Sequence, residues 1–107
     1  HFERVMRNRP RGLPSLVLVH SPQIFREAAE RGASLTLCGH THGGQVCLPF
    51  RIPIANKFQS PRRYMAGRWN YRGAQGYTTS GCGGCKLPYR LNAPAEVAVH
   101  TLRCEKS

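Results

Sequence analysis

Aspartate is entirely missing from this sequence of 107 residues. The five acidic residues are all glutamates, and none lies beside the histidine-rich segment at residues 39–45. Hard divalent ions usually need carboxylate ligands, and a pair of such ions often needs a bridging one. A site of that kind built from this chain is therefore incomplete unless a glutamate folds into it.

Long apolar runs are missing too. No segment approaches the roughly 18 apolar residues of a membrane-spanning helix, and no N-terminal series has the pattern of a signal peptide. Internal repeats and low-complexity segments are also absent from the sequence. Because the chain begins at His1 rather than methionine, we expect it to be a fragment. Its length allows one domain at most.

Negative charge is scarce: sixteen Lys and Arg face five acids, which gives a formal charge of +11. Such a surplus favours anionic partners, namely phosphorylated small molecules, an anionic lipid surface or nucleic acid. The positive residues are scattered, so a simply solvated surface remains an alternative. A nucleic-acid-binding domain is the least favoured class, because no recognition helix is evident.

Five cysteines form an odd set without a regular disulfide framework, and one or two disulfides remain open. Cys82 and Cys85 enclose two glycines, but no second pair stands at zinc-site spacing and no helix follows. We expect ordinary loop cysteines there. One alternative is a structural zinc module built on Cys38, Cys47 and the histidines between them.

Two histidines are predicted to follow neighbouring buried strands. Residues 16–19 (LVLV) have the apolar pattern of a strand buried on both faces, and His20 follows them. Ser21 and Pro22 open a helix that runs to about Arg31 and stops at a glycine. Residues 35–37 then form a second strand that leads to His40. Because so short a crossover favours parallel strands, we expect both histidines at one sheet edge.

The segment GHTHGGQ at residues 39–45 adds a third imidazole. On extended backbone, His40 and His42 would point the same way, and the flanking glycines would permit a sharp turn. Imidazole is the commonest biological metal ligand. We therefore predict a metal site formed by His20, His40 and His42.

The remaining elements are less regular. Residues 45–48, 77–80 and 97–102 read as strands, with His100 as a sheet residue rather than a ligand. The first residues read as the tail of an amphipathic helix, and residues 49–75 as a long irregular loop. The fold class is therefore α/β (α+β) with a mixed sheet.

Several of these segments resemble the calcineurin-like metallophosphoesterases. The similarity lies in LVHSP (residues 18–22), GHTHGGQ and the following LP (residues 48–49), and it continues through the closing residues 77–83, 88–91 and 94–97. Within the family, the sequence most resembles the bacterial branch that carries GHTHGGQ. That branch includes membrane-associated phosphodiesterases and UDP-2,3-diacylglucosamine pyrophosphatases.

The resemblance implies an αββα sandwich with a site for two divalent ions (Mn, Fe or Zn). His20 and His40 would bind one ion and His42 the other, while Gln45 and the glycines shape the loop. The earlier family motifs DxH, GDxxD and GNHE/D do not occur here, so residues 1–107 would be the C-terminal portion of one such domain, with no catalytic residue of its own.

The expected function is phosphoester hydrolysis of the phosphodiesterase or pyrophosphatase type, by attack of a metal-bound hydroxide. The substrate would be a phosphorylated small molecule or a lipid-linked one, with peripheral membrane contact and a place in the bacterial cytoplasm or at the membrane. Arginines 62, 63, 68, 72 and 90 are candidates to hold the phosphate. The chain alone is expected to bind metal weakly and to have little or no activity.

Overall fold

The computed structural model describes residues 1–55 and 60–104. Helix α1 spans Phe2–Arg7, and helix α2 spans Phe25–Glu30 after a 3₁₀ turn at Pro22–Ile24. The Ser21 hydroxyl caps this turn by accepting the Gln23 amide at 3.4 Å, which confirms the predicted helix start. In the described part of the chain, no helix is long and apolar enough to cross a membrane.

A four-stranded mixed sheet carries the fold. Its strands are β1 Leu16–Leu18, β2 Leu35–Cys38, β5 Gly67–Tyr71 and β6 Ala74–Thr78; β3 Cys47–Leu48 and β4 Ile52–Pro53 form a separate two-stranded sheet. The order in the large sheet is β1-β2-β6-β5, with β1, β2 and β6 parallel and β5 antiparallel to β6. The predicted α/β class and mixed sheet are therefore confirmed.

β5 and the hairpin turn lie inside residues 49–75, which were predicted to be irregular, so that prediction is wrong there. The strand predicted at residues 77–80 is confirmed at residues 77–78, the end of β6. Its turn uses Arg72 (φ 50°) and Gly73 (φ 86°), two successive positive φ values that match the twist of the flanking strands. Trp69 stands opposite Gly76 in the ladder. A Cβ on Gly76 would lie 2.1 Å from the indole ring, so only glycine admits this close packing.

The core lies between the helices and one face of the sheet. One cluster joins α1, β1 and α2 through Met6, Val17 and Ala28, and the other packs Phe25 and Trp69 around buried aromatic rings. The prediction that the first strand is buried on both faces is wrong, since Leu18 is 74% exposed. In the described residues, helices cover only the face that carries Val17.

The closing segment is not a strand, contrary to the prediction for residues 97–102. Val97 and Val99 are 83% and 89% exposed, and no strand is assigned among residues 92–104. The apolar alternation is present, but a strand also needs a neighbouring backbone to pair with. His100 instead packs its ring edge against Tyr77, with the centroids 4.9 Å apart.

Candidate metal centre

His20 and His40 lie side by side at the carboxyl end of the parallel sheet. β1 pairs with β2 in register from Leu16–Leu35 to Leu18–Leu37, and the Gly39 amide donates to the His20 carbonyl at 3.2 Å. The two ring centroids are 4.3 Å apart, with the rings tilted by 47°. Both residues are exposed, so an ion from solvent can reach them.

The surroundings of His40 favour its neutral imidazole form. Loss of solvent around its ring, together with the positive charges of His20 and His42, lowers the pKa of His40. A metal binds only the deprotonated nitrogen of imidazole. A lowered pKa therefore leaves His40 ready to act as a ligand near neutral pH.

The turn that follows β2 has left-handed rather than extended backbone. His40 and His42 have φ values of 69° and 51°, so the expectation of extended backbone at GHTHGGQ is wrong. Each such non-glycine residue costs roughly 1–3 kcal/mol and persists only where the surroundings enforce it. Gly44, at φ 90°, has a further reason to be glycine: a Cβ there would meet the Pro53 Cβ at 2.9 Å.

Two side chains inside the motif hold this turn in place. The fully buried Thr41 donates its hydroxyl to the Met65 carbonyl and accepts the Gly43 amide at 3.3 Å. Gln45 is also buried, and its side-chain amide donates to the carbonyls of Leu87 (2.9 Å) and Tyr89 (3.1 Å). The motif is therefore tied both to the approach to β5 and to the loop after β6.

Arg90 supplies a third support, from a loop 48 residues beyond His42. Its guanidinium donates to the His42 carbonyl at 2.9 Å and to the Ser80 carbonyl at 2.8 Å. It also donates to Gly83 and Ala93 at 2.6 Å each. Arg90 is one of the arginines predicted to hold the phosphate, but in the structure its guanidinium donates to backbone carbonyl oxygens. No motif in the sequence marked this bracing role.

Carboxylates do not join the histidines in the described part of the chain. Glu3 pairs with Arg7 and Arg31 at 3.1 Å each, and Glu96 accepts the Ser80 amide. Across residues 1–55 and 60–104, no three His, Cys, Asp or Glu side chains form a group that could hold a metal ion. The structure thus places His20 and His40 side by side, and the described residues do not form a complete set of metal ligands.

The four-ligand zinc module is not assembled either. Burial raises the pKa of the Cys38 thiol against the opposing effect of its hydrogen bond with Thr78, at 3.2 Å. Burial also raises the pKa of Cys47, whose thiol donates to the Gly43 carbonyl at 3.4 Å. Both thiols contact other groups of the fold, and no group of three His, Cys, Asp or Glu side chains that could hold a metal ion occurs among residues 1–55 and 60–104.

Two known bacterial proteins are similar to this chain in sequence. The chain is 36% identical over 89 residues to YkuE of Bacillus subtilis, described as an uncharacterized metallophosphoesterase. It is 38% identical over 90 residues to phosphodiesterase YaeI of Escherichia coli. These alignments cover 83% and 81% of the chain. The chain is homologous to bacterial metallophosphoesterases.

The homology reaches only part of each metallophosphoesterase. The aligned region is 31% of YkuE and 32% of YaeI, and 25% of a Helicobacter pylori metallophosphoesterase that is 32% identical. The chain therefore spans about a third or less of these three relatives, which is consistent with the predicted fragment. No family model and no solved structure matches the chain.

Proposed function

We propose that this chain belongs to a metal-dependent phosphoester hydrolase of the phosphodiesterase or pyrophosphatase type. In this proposal, residues 1–107 form the C-terminal portion of a single αββα domain. The observation that carries the proposal is the His20–His40 pair, whose rings lie 4.3 Å apart at the carboxyl ends of parallel strands. Ligand sites of α/β sheets lie at such strand ends.

The donor chemistry fits half of a two-ion centre. Nitrogen donors from two adjacent imidazoles suit manganese, iron or zinc. We assign His20 and His40 to one ion and His42 to the other. The carboxylates that such a centre needs are not supplied by the described glutamates.

Bound divalent ions would supply positive charge for the phosphate and activate a water molecule. This chain contributes the imidazoles and a turn kept rigid by Thr41, Gln45 and Arg90. The net charge of +11 supports a phosphorylated small molecule or a lipid-linked phosphoester as substrate, with peripheral contact to an anionic membrane. Arg62, which donates to the Phe50 carbonyl at 2.9 Å, and Arg90 are already committed to backbone oxygens.

The chain alone is expected to show little or no hydrolysis, because half of the ligands are missing. Release of 4-nitrophenol from bis(4-nitrophenyl) phosphate in the presence of Mn²⁺ measures this directly. Turnover by the chain that disappears in His40→Ala would contradict the expectation of an incomplete site.

A chimera tests the proposed activity itself. The chain replaces the homologous part of phosphodiesterase YaeI, the relative with which it shares 38% identity. We expect the chimera to hydrolyse bis(4-nitrophenyl) phosphate with Mn²⁺, to lose at least about a hundredfold in rate with His40→Ala, and to keep its rate with His100→Ala. A folded chimera with no hydrolysis, or with equal rates in the two variants, would overturn the proposal.

A further inference from the structure

A cleft of about 530 Å³ opens beside His42. Its apolar wall comes from both sides: Val46 and Ile54 follow the histidine turn, and Leu87 belongs to the loop that Gln45 anchors. The cleft therefore begins at a proposed metal ligand and extends along a surface that the bracing hydrogen bonds hold together.

Two polar side chains of the lining, Thr41 and Gln45, already have partners. Both amide hydrogens of Gln45 are donated to backbone carbonyls, and its oxygen accepts the Cys85 amide at 2.7 Å. The Thr41 hydroxyl donates to Met65 and accepts from Gly43. A ligand that needs several directed hydrogen bonds, such as a nucleoside or a sugar, would leave its own polar groups unpaired against this wall.

Lys86 gives the cleft its charge. This residue is exposed and belongs to the lining, close in sequence to Leu87 and Cys85. A lysine beside an apolar wall suits a ligand that is anionic at one end and apolar at the other. His42 at the same cleft marks the end where a phosphate would lie.

We propose that this cleft binds the apolar alcohol portion, aryl or alkyl, of a phosphoester whose phosphate lies at the histidine turn. The position of the phosphate rests on the proposed function, whereas the apolar character of the cleft is inferred from its lining residues alone. It selects substrates by the organic group and disfavours polar alcohols such as glycerol or ribose.

Amide chemical shifts of the 107-residue chain, recorded by ¹H–¹⁵N NMR with saturating Zn²⁺, test the proposal. The probes are phenyl phosphate, glycerol 3-phosphate and phenol. We expect phenyl phosphate to bind about tenfold more tightly than glycerol 3-phosphate and to shift the amides of Val46, Ile54 and Leu87. Phenol alone should shift the same amides. Equal affinities, or phenol shifts elsewhere, would overturn the proposal.

Two variants of similar exposure provide the control. Ile54 is 60% exposed and lines the cleft, whereas Leu102 is 65% exposed and lies outside it. Ile54→Gln should abolish the preference for phenyl phosphate, and Leu102→Gln should keep it; the reverse would refute the cleft.

If Zn²⁺ leaves the histidine signals unchanged while phenol still shifts the cleft amides, the metal site fails and the cleft stands. If zinc shifts the histidine signals but phenol shifts no cleft amide, the metal site stands and the cleft proposal fails.

Discussion

A single guanidinium organises the surroundings of the histidine turn. Arg90 donates to the carbonyl oxygens of His42, Ser80, Gly83 and Ala93 within 2.9 Å. It joins the motif, the end of β6 and the glycine loop around Cys82 and Cys85. Carbonyl groups that lose a charged donor remain partly desolvated. We therefore expect Arg90 to contribute more to the free energy of unfolding than its partial exposure indicates.

Replacing Arg90 should therefore destabilise the fold. We expect Arg90→Met to lower the free energy of unfolding by about 2–3 kcal/mol, measured by urea denaturation. Arg90→Lys should recover little of this loss, since an ammonium group lacks the planar fork. Arg11→Met removes the same charge from an exposed site and should change stability by less than about 0.5 kcal/mol. Equal effects at the two positions would contradict the bracing role.

Glu96 should make stability depend on acid pH. Partial burial raises its pKa, but hydrogen bonds from Tyr77, Thr79 and the Ser80 amide, with the charge of Arg51, outweigh burial and leave the pKa lowered. A carboxyl group whose folded pKa is lowered stabilises the fold above its unfolded pKa and loses that effect as pH falls through the folded value.

The matching measurement is the free energy of unfolding between about pH 7 and about pH 3. Glu96→Gln should flatten the decline on the acid side, whereas Glu30→Gln, at an exposed helical position, should leave it unchanged. A decline that is equally steep in Glu96→Gln would show that this carboxyl group is not responsible.

At the scale of residues, the sequence indicated His20 and His40 correctly as neighbours, because each lies two residues after a strand of a short parallel crossover. It did not indicate Arg90, because the carbonyl groups that this side chain binds come together only in the folded loops. Nor did it indicate the left-handed backbone of His40 and His42, since that conformation is imposed by contacts distant in sequence.

Thr78, at the end of β6, links several elements. Its hydroxyl accepts the Trp69 indole N–H of β5 at 2.9 Å and donates to the Tyr64 carbonyl at 2.6 Å. The Cys38 thiol of β2 lies 3.2 Å away. One fully buried oxygen thus joins two strands and the 3₁₀ turn at Arg62–Tyr64.

Thr78→Val keeps the shape of this side chain and removes the hydroxyl. We expect a loss of about 2–3 kcal/mol in unfolding free energy, because Trp69 and Tyr64 are left with buried unpaired groups. Thr78→Ser keeps the hydroxyl and should cost less than about 1.5 kcal/mol through the lost methyl group. Thermal unfolding followed by Trp69 fluorescence measures both, and a valine variant as stable as the serine variant would refute this role.

At the scale of elements, prediction succeeded where pattern and pairing were local. β1, α2 and β2 form one crossover, and each was anticipated within a few residues. β5 was missed because its polar and glycine-rich sequence, GRWNY, acquires strand geometry from a hairpin turn and from Trp69 packing. Residues 97–102 have the alternation of a strand, but the described chain offers them no pairing edge.

The whole molecule is less compact than its length allows. Its radius of gyration is 15.0 Å, against about 13 Å for a compact domain of this size. Homology that covers about a third of YkuE and YaeI supports the proposed origin as part of a larger domain.

At the scale of the whole molecule, composition predicts a chain short of carboxylate ligands. Without aspartate, the chain was expected to leave a two-ion centre incomplete, and that expectation stays a prediction for the metal titration below. What composition could not give is the shape of the cleft beside His42, since that depends on how the loops after β2 and β6 meet.

Zinc titration of the chain, followed through the imidazole ¹⁵N signals in long-range ¹H–¹⁵N NMR spectra, tests the central claim most directly. We predict that His20 and His40 shift together with a single dissociation constant, that His20→Ala and His40→Ala each weaken binding at least about tenfold, and that His100→Ala does not. Zinc that leaves these two signals unchanged, or that binds both variants as tightly as the original chain, would contradict the account.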